Sequence, residues 1–334
     1  MSNRAMSRRE LITLINCAAV AWPTGAGAQK SAKVPRVGVI SPGNPPPADP
    51  FHQAERFEAG LVELGWKPGV SIVIDYRYAE GKLDRLPALA AELVRIPVNV
   101  IIARGQTLPA ARGATTSVPI VMAFDPDPVG NGYIRSLARP GGNITGLTTQ
   151  AFELEAKSLD LLRQAIPSLA RVGILTTSGN AASTMEQILR MEMAARTLKL
   201  EVVAVQADTV GQLAAAFDTM KNANVGAVLV SQSLFFADPK VVAALAIEHR
   251  LATITSLREF AEAGALMTYG ANLAEMHRRV ATYVDKILKG GNPAEIPVEQ
   301  PTRFELVINL KTAQALGLTI PATLLSVANQ VIEQ

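Results

Sequence analysis

Short apolar runs rich in β-branched residues alternate along this chain with longer segments whose apolar positions recur every three to four residues. The runs Val34–Ile40, Val70–Arg77, Val98–Ala103 and Pro119–Ala123 predict one series of strands. Ile144–Thr148, Arg171–Leu175, Glu201–Val205, Ala227–Val230, Ala252–Thr255 and Ala265–Tyr269 predict a second. The helical period predicts helices over Phe51–Leu64, Leu83–Arg95, Leu154–Ala165, Asn180–Leu198, Gln212–Asn222, Pro239–His249 and Leu273–Lys289. Strands that are apolar throughout, with helices between them, indicate parallel sheets covered on both faces, which is the α/β class.

The pattern runs twice. Arg36-Val-Gly-Val-Ile40 opens the first series and Arg171-Val-Gly-Ile-Leu175 the second, each followed by a polar loop and a helix. Two Rossmann-like lobes are therefore expected. The Pro- and Gly-rich segment from Ala138 to Gly146 marks the boundary between them. Further crossings are expected near Thr268–Asn272 and within the extended stretch Ile296–Asn309. This predicts an N-terminal lobe of residues 34–145 plus about 271–300, and a C-terminal lobe of 146–270 plus about 301–334. A chain that crosses several times forms a multi-stranded hinge, and such a hinge permits closure on a ligand.

Composition changes the picture at one end only. The chain has 334 residues, 49% apolar and 18% charged, which suits about two domains and excludes disorder. Its net charge of +3 resembles a nucleic-acid signal until the charges are traced. Arg4, Arg8 and Arg9 precede the apolar run Leu11–Trp22, and Ala26-Gly27-Ala28 is a small-x-small cleavage pattern. Residues 1–28 thus read as an export signal cleaved after Ala28, of the Tat or the Sec type, with a periplasmic destination. The signal takes three Arg and one Glu with it and leaves the remainder at +1, so no nucleic-acid partner is expected. The single cysteine, Cys17, lies inside the signal. A lipoprotein site there is disfavoured by Asn16 before it and by the apolar run beyond it. No cysteine-based metal site or disulfide framework is then available.

Catalytic signatures are missing from the sequence: no P-loop, no G-x-G-x-x-G after the first strand, no nucleophile elbow and no H-E-x-x-H. His52, His249 and His277 all fall on predicted helices. No cofactor, metal or catalytic residue is therefore assigned. What remains is the set of loops after the strands, where open α/β sheets bind ligands. These are Ser41-Pro-Gly-Asn44, Arg104-Gly-Gln-Thr107 and Phe124-Asp-Pro-Asp127, then Thr176–Asn180, Ser231-Gln-Ser233 and Ser256–Glu259. Each alone reads more readily as helix capping than as binding; together they line both walls of the expected cleft, which favours binding. Arg104 and Arg258 each follow an apolar strand, and each serves either as a carboxylate clamp or as a salt bridge. Phe124, Phe235 and Phe236 suit an aromatic ligand or the core. The Pro42–Pro50 loop, with five prolines in nine residues, is stiff and lies beside the mouth of the cleft.

At this point the chain resembles the ABC-transporter substrate-binding proteins of the type I periplasmic binding fold, in the subfamily of tryptophan and other aromatic amino-acid binders. The segments that carry the resemblance are Val100–Gly105, Ala114–Val121, Asp127–Gly130, Arg139–Gly146, Gly264–Gly270, Ile287–Gly290, Ile308–Ala313 and Leu316–Pro321. The resemblance implies two lobes, cleft closure on a small-molecule ligand, delivery to an ABC permease in the inner membrane, a monomer, and no catalysis. It implies ligand contacts at Ser41, Gly105, Gln106, Thr107, Phe124, Asp125, Thr177, Ser178, Asn180, Ser231 and Asn272, with Asp125 or Asn272 holding an ammonium group. Arg104 departs from the simplest Ala-Thr-Gly form of its loop and points toward a carboxylate or aromatic acid. A periplasmic sensing module for a membrane kinase is the alternative function; an enzyme on this fold is the third.

Overall fold

The computed structural model describes residues 34–46, 54–149, 151–178, 181–234 and 238–333. The predicted export signal lies outside the described residues, as do Pro47 to Pro50 of the proline loop.

Two sheets organise these residues. The first is built from β1 (Arg36–Ser41), β2 (Val73–Tyr78), β3 (Val100–Ala103), β4 (Ile120–Met122) and β5 (Ile144–Gly146). They lie in the order β2-β1-β3-β4-β5, all parallel. The second contains β6 (Arg171–Thr176), β7 (Glu201–Gln206), β8 (Ala227–Val230), β9 (Ala252–Thr255), β10 (Met267–Ala271), β11 (Phe304–Asn309) and β12 (Gln330–Ile332). Their order, reversed from the other edge, is β7-β6-β8-β9-β10-β11-β12, parallel except between β10 and β11. The first five strands of each sheet thus repeat one doubly wound order. In this order the crevice for a ligand opens outside the carboxyl ends of the strands, at β1/β3 and at β6/β8.

The repeated sequence has a repeated job. Arg36 opens β1 and pairs with Asp75 on β2, Nε to Oδ2 at 3.0 Å. Arg171 opens β6 and pairs with Glu201 on β7 at 2.6 Å. Each arginine ties the first strand of its sheet to the edge strand.

Helices cover both faces of each sheet, and their apolar stripes form the cores. Against the first sheet lie α1 (Ala54–Glu63), α2 (Leu86–Arg95), α3 (Leu108–Ala114) and α9 (Leu273–Leu288). Phe57 and Leu61 of α1 meet Val280, Tyr283 and Val284 of α9 on one face; Leu89 and Leu93 of α2 and Leu108 of α3 fill the other. Against the second sheet lie α4 (Ala151–Ala165), α5 (Ala181–Thr197), α6 (Leu213–Asn222), α7 (Pro239–Glu248) and α8 (Arg258–Ala263). The short helices α10 (Leu310–Ala315) and α11 (Ala322–Leu325) complete that side. Leu159 and Leu162 of α4 and Met191 of α5 fill one face, and Phe217, Val242 and Phe260 the other.

Among the described residues, the chain passes between the sheets three times: from β5 to α4, from β10 to α9, and from α9 to β11. The first and third passages run side by side, with Thr148 N–H donating to the Glu299 carbonyl and Glu299 N–H to the Gly146 carbonyl, both at 3.0 Å. Two glycines permit close approach here. A Cβ on Gly146 (φ +138°) would lie 2.1 Å from the Met122 carbonyl oxygen, and one on Gly270 would lie 2.0 Å from that of Ser256.

Several elements differ from the sequence reading. β2 starts at Val73 rather than Val70, because Lys67 to Ser71 close a turn in which Lys67 N–H donates to Ser71 Oγ at 2.7 Å. Residues 83–85 are a separate 3-10 turn ahead of α2. α3, α8, α10 and α11 and the strands β11 and β12 extend the predicted list.

Candidate functional site

The loops at the carboxyl edge of the first sheet are drawn together by their own polar groups. Ser41 ends β1; it is buried, and its hydroxyl accepts the Gly43 N–H at 3.3 Å. After β3 the chain turns through Gly105–Thr107, with Gly105 in the left-handed region at φ +44°. Thr107 closes that turn: its Oγ1 accepts the Arg104 N–H at 2.9 Å and donates to the Arg104 carbonyl at 3.0 Å. It is fully buried and acts as a cap. The Arg104 guanidinium lies over the buried Phe124 ring, 5.8 Å from its centroid. His277 of α9 meets the same ring edge-on at 5.7 Å. A small cavity of about 50 Å³ opens here, lined by Ser41, Phe57, Tyr76, Tyr78, Arg104 and His277 among others.

Asp125 is buried, and its carboxylate works inside its own loop. Oδ1 accepts the Asp127 N–H at 2.9 Å and Asn131 Nδ2 at 3.0 Å. Its backbone carbonyl accepts Thr148 Oγ1 at 2.8 Å and the Thr149 N–H at 3.1 Å, which anchors the first crossing. Burial raises the carboxyl pKa to about 6, against the opposing effect of the Asn131 and Asp127 bonds.

The carboxyl edge of the second sheet is built around a buried polar cluster whose Ser231 and Thr176 lie in loops the sequence pointed to, and whose Glu155 and Gln187 it missed. Gln187 of α5 donates through Nε2 to Glu155 Oε1 at 2.6 Å and to Ser231 Oγ at 3.0 Å. Thr176, at the end of β6, donates to Gln187 Oε1 at 3.4 Å. Glu155, on α4, is 5% exposed, and burial raises its carboxyl pKa to about 7. Thr149 reaches across from the first crossing to Gln232 Oε1 at 2.7 Å. Glu155 and Gln187 carried a signal that could have found them. Each is a polar residue within an apolar stripe, Glu155 in register with Leu159 and Leu162, Gln187 with Met191 and Ala195.

Among the described residues, five buried side-chain oxygens have no hydrogen-bond partner: Gln106 Oε1, Glu155 Oε2, Thr255 Oγ1, Ser256 Oγ and Glu259 Oε2. Gln106 belongs to the first lobe and the other four to the second. Burial raises the Glu259 carboxyl, while the positive charge of Arg104, on the first lobe, acts to lower it.

Other expected site residues have other duties. The Arg258 guanidinium is engaged within the second lobe by Glu262 at 3.0 Å, by Glu305 at 3.3 Å and by Gln330. It is a salt-bridge residue there. Asn272 caps α9 by accepting the Glu275 N–H at 3.0 Å, and donates to Glu305 Oε1 at 2.8 Å. It lines a separate cavity of about 640 Å³ between α1, α9 and the third crossing, with Glu63, Arg279, Glu299 and Arg303. Ser178 is exposed and donates from its N–H and its hydroxyl to Asp208, both at 2.7 Å. Thr177 N–H donates to Ser233 Oγ at 3.3 Å. Asn180, Phe235 and Phe236 lie outside the described residues. Among the described residues, no group of three or more His, Cys, Asp or Glu is arranged to hold a metal ion.

Two doubly wound lobes, three crossings and polar loops at both carboxyl edges define a type I periplasmic binding protein fold. Solved structures agree on the fold. A conserved domain protein from Vibrio cholerae superposes with a TM-score of 0.82, at 24% identity over 90% of this chain and all of the other. The ABC domain in complex with L-Trp from Streptococcus pneumoniae gives 0.78, also at 24% identity, over 89% of this chain and 99% of the other. A curated relative, the tyrosine-binding protein of Clostridioides difficile, is 25% identical over 263 residues, which are 78% of this chain and 75% of that protein. The family model for ABC transporter substrate binding proteins matches residues 50–332, so the chain belongs to that family. It captures a small molecule outside the cytoplasm for an ABC importer.

Proposed function

We propose that this chain is a monomeric periplasmic receptor, released from its signal after Ala28, whose solute is an amino acid or a related aromatic carboxylate. The observation that carries this reading is the Arg104 guanidinium laid over the Phe124 ring at the carboxyl edge of the first sheet, with the second lobe opposite. A guanidinium offers two parallel N–H groups to a carboxylate, and the neighbouring aromatic groups suit an apolar or aromatic body. The relatives named for tyrosine and for L-Trp support the same class. Ser41, Arg104, Gly105, Gln106 and Phe124 form the first wall of the site, and Thr177, Ser231 and the Glu155–Gln187 cluster the second. Asp125 shapes the first wall through its loop. Closure of the lobes around the solute then presents one face to the permease, and the chain performs no chemistry on its cargo.

A thermal-denaturation screen of the purified mature chain against amino acids and aromatic carboxylates tests this. A ligand that binds only the folded state at a hundred times its Kd stabilises by about 2.7 kcal/mol, so one chemical class should raise the midpoint. A screen in which sugars or polyols raise it and no amino acid or carboxylate does would refute the reading.

A further inference from the structure

We propose that Met185 and Met193 form an oxidant-receiving site on the outer face of α5: a peroxide converts both thioethers to sulfoxides before any other sulfur beyond the predicted export signal, and the fold survives the change. Of the nine methionines in the sequence, Met1 and Met6 lie in that signal, as does the single cysteine. Methionine is therefore the only source of sulfur beyond it. The remaining methionines fall into two groups. Met122, Met191, Met220, Met267 and Met276 are each 7% exposed or less, whereas Met185 is 56% and Met193 62% exposed.

The two exposed sulfurs share one face of one helix. Leu189 lies midway between them and is exposed too, and a helix of about 3.6 residues per turn brings positions i, i+4 and i+8 to the same side. Met191 and Ala195, on the other side, are buried in the core of the second lobe. Ion pairs within the helix flank the exposed stripe, Arg190 with Glu186 and Arg196 with Glu192, and keep it wetted. Packing gives no reason for a methionine at either place. Its long flexible side chain fills gaps in cores, and here it fills none. What it offers to water is a polarisable sulfur.

The chemistry is a two-electron oxidation. The sulfur lone pair attacks one oxygen of hydrogen peroxide, the O–O bond breaks, and the proton of the attacked oxygen passes to the departing one, which leaves as water. Sulfur gives up the two electrons that the peroxide gains, so no further reactant is needed. The product is polar, and its consequence depends on where it forms. A sulfoxide at Met191 would disrupt the core behind the helix. At Met185 and Met193 it stays in solvent and turns both ends of an apolar stripe polar. A chain that works outside the cytoplasm does so in an oxidising setting, and these two sulfurs take up oxygen without touching the core.

The test treats the folded, purified mature chain with hydrogen peroxide and maps its tryptic peptides by mass spectrometry. Met185 and Met193 should each gain one oxygen at least about tenfold faster than the five buried methionines. Met191 is the internal control, since cleavage after Arg190 and Arg196 leaves it in one peptide with Met193. The chain carrying both sulfoxides should keep its urea-unfolding midpoint. A double variant, Met185→Leu with Met193→Leu, should keep that midpoint and gain no oxygen at the dose that saturates the two sites. Oxidation of Met191 or Met276 as fast as that of Met193 would overturn the proposal, as would equal oxygen uptake by the double variant. A lowered midpoint in the doubly oxidised chain would also overturn it, because the two sulfurs would then belong to the packing.

Discussion

At the carboxyl edge of the first sheet the polar residues largely satisfy one another; at that of the second, several do not. Thr107 bonds back to Arg104, Asp125 takes its own loop's N–H and amide groups, and Ser41 receives Gly43. Among the five orphaned oxygens, only that of Gln106 belongs to the first lobe. Yet the two lobes share one strand order and an equivalent arginine pair at the start of their first strands. The fold is thus duplicated while the edges diverge. One carries a guanidinium over an aromatic ring, and the other carries buried side-chain oxygens that have no partner among the described residues.

The largest effects are expected where the two lobes join their crossings. Gly146 and Gly270 are counterparts, each leaving no room for a Cβ beside a carbonyl oxygen, of Met122 in β4 and of Ser256 just past β9. Gly270→Ala should cost ~3 kcal/mol in urea unfolding, because backbone rather than a flexible side chain must move. Gly146→Ala should cost more, since φ of +138° adds backbone strain to the same overlap. Equal or negligible losses would show that the crossings yield easily and that close packing there is incidental.

Next comes a test in the second lobe alone. Glu155 keeps its proton to about pH 7 in the folded chain, against an ordinary value of 4.5. Its folded pKa is raised by burial, so the folded state binds more protons than the unfolded one between those values. Its contribution to stability is greatest below pH 4.5 and is lost as pH rises toward 7. Glu155→Gln cannot titrate. Relative to wild type, the ligand-free variant should therefore gain on the order of 2 kcal/mol between pH 4.5 and 8. A stability difference that does not change with pH would mean that Glu155 ionises as an exposed carboxyl does.

Much of the fold was legible in the sequence because its strands are buried on both faces. Ala227–Val230 and Ala252–Thr255 emerge with the bounds expected for them, since a polar or Gly residue closes each apolar run. The C-terminal strands were less visible. β11 alternates polar and apolar residues at its start, and its antiparallel partner β10 lies over thirty residues back, so it reads only as extended chain. α3 was hidden by Pro109, which breaks a helix interior but is tolerated in the first turn, where it sits. The candidate site was legible by chemical type and by position after a strand, which put Ser41, Arg104, Phe124 and Ser231 at the carboxyl edges of the sheets. It was not legible by direction. Nothing local in Ser256-Leu-Arg-Glu259 says that Arg258 turns to Glu305 and Gln330, which lie 47 and 72 residues away. Glu155 and Gln187 sit inside helices rather than loops, so a search confined to strand ends passed over them.

The two arginines that looked alike in the sequence give the sharpest contrast of the lobes and the smallest effects. Arg104→Ala should weaken a carboxylate solute by at least tenfold, about 1.4 kcal/mol, if two parallel hydrogen bonds are lost. It should change the unfolding midpoint little, because Phe124 beneath it is buried by other contacts as well. Arg258→Ala should do the reverse. Its partners Glu262 and Glu305 are part-exposed, and such pairs contribute ~1 kcal/mol or less, so the midpoint should fall slightly while solute affinity stays within twofold. Calorimetry and urea unfolding on the two variants separate these outcomes. A tenfold loss of affinity in Arg258→Ala would mean that the β9–α8 turn positions the second wall of the cleft through this salt bridge. The stability of the second lobe and the shape of its binding edge would then depend on the same three side chains.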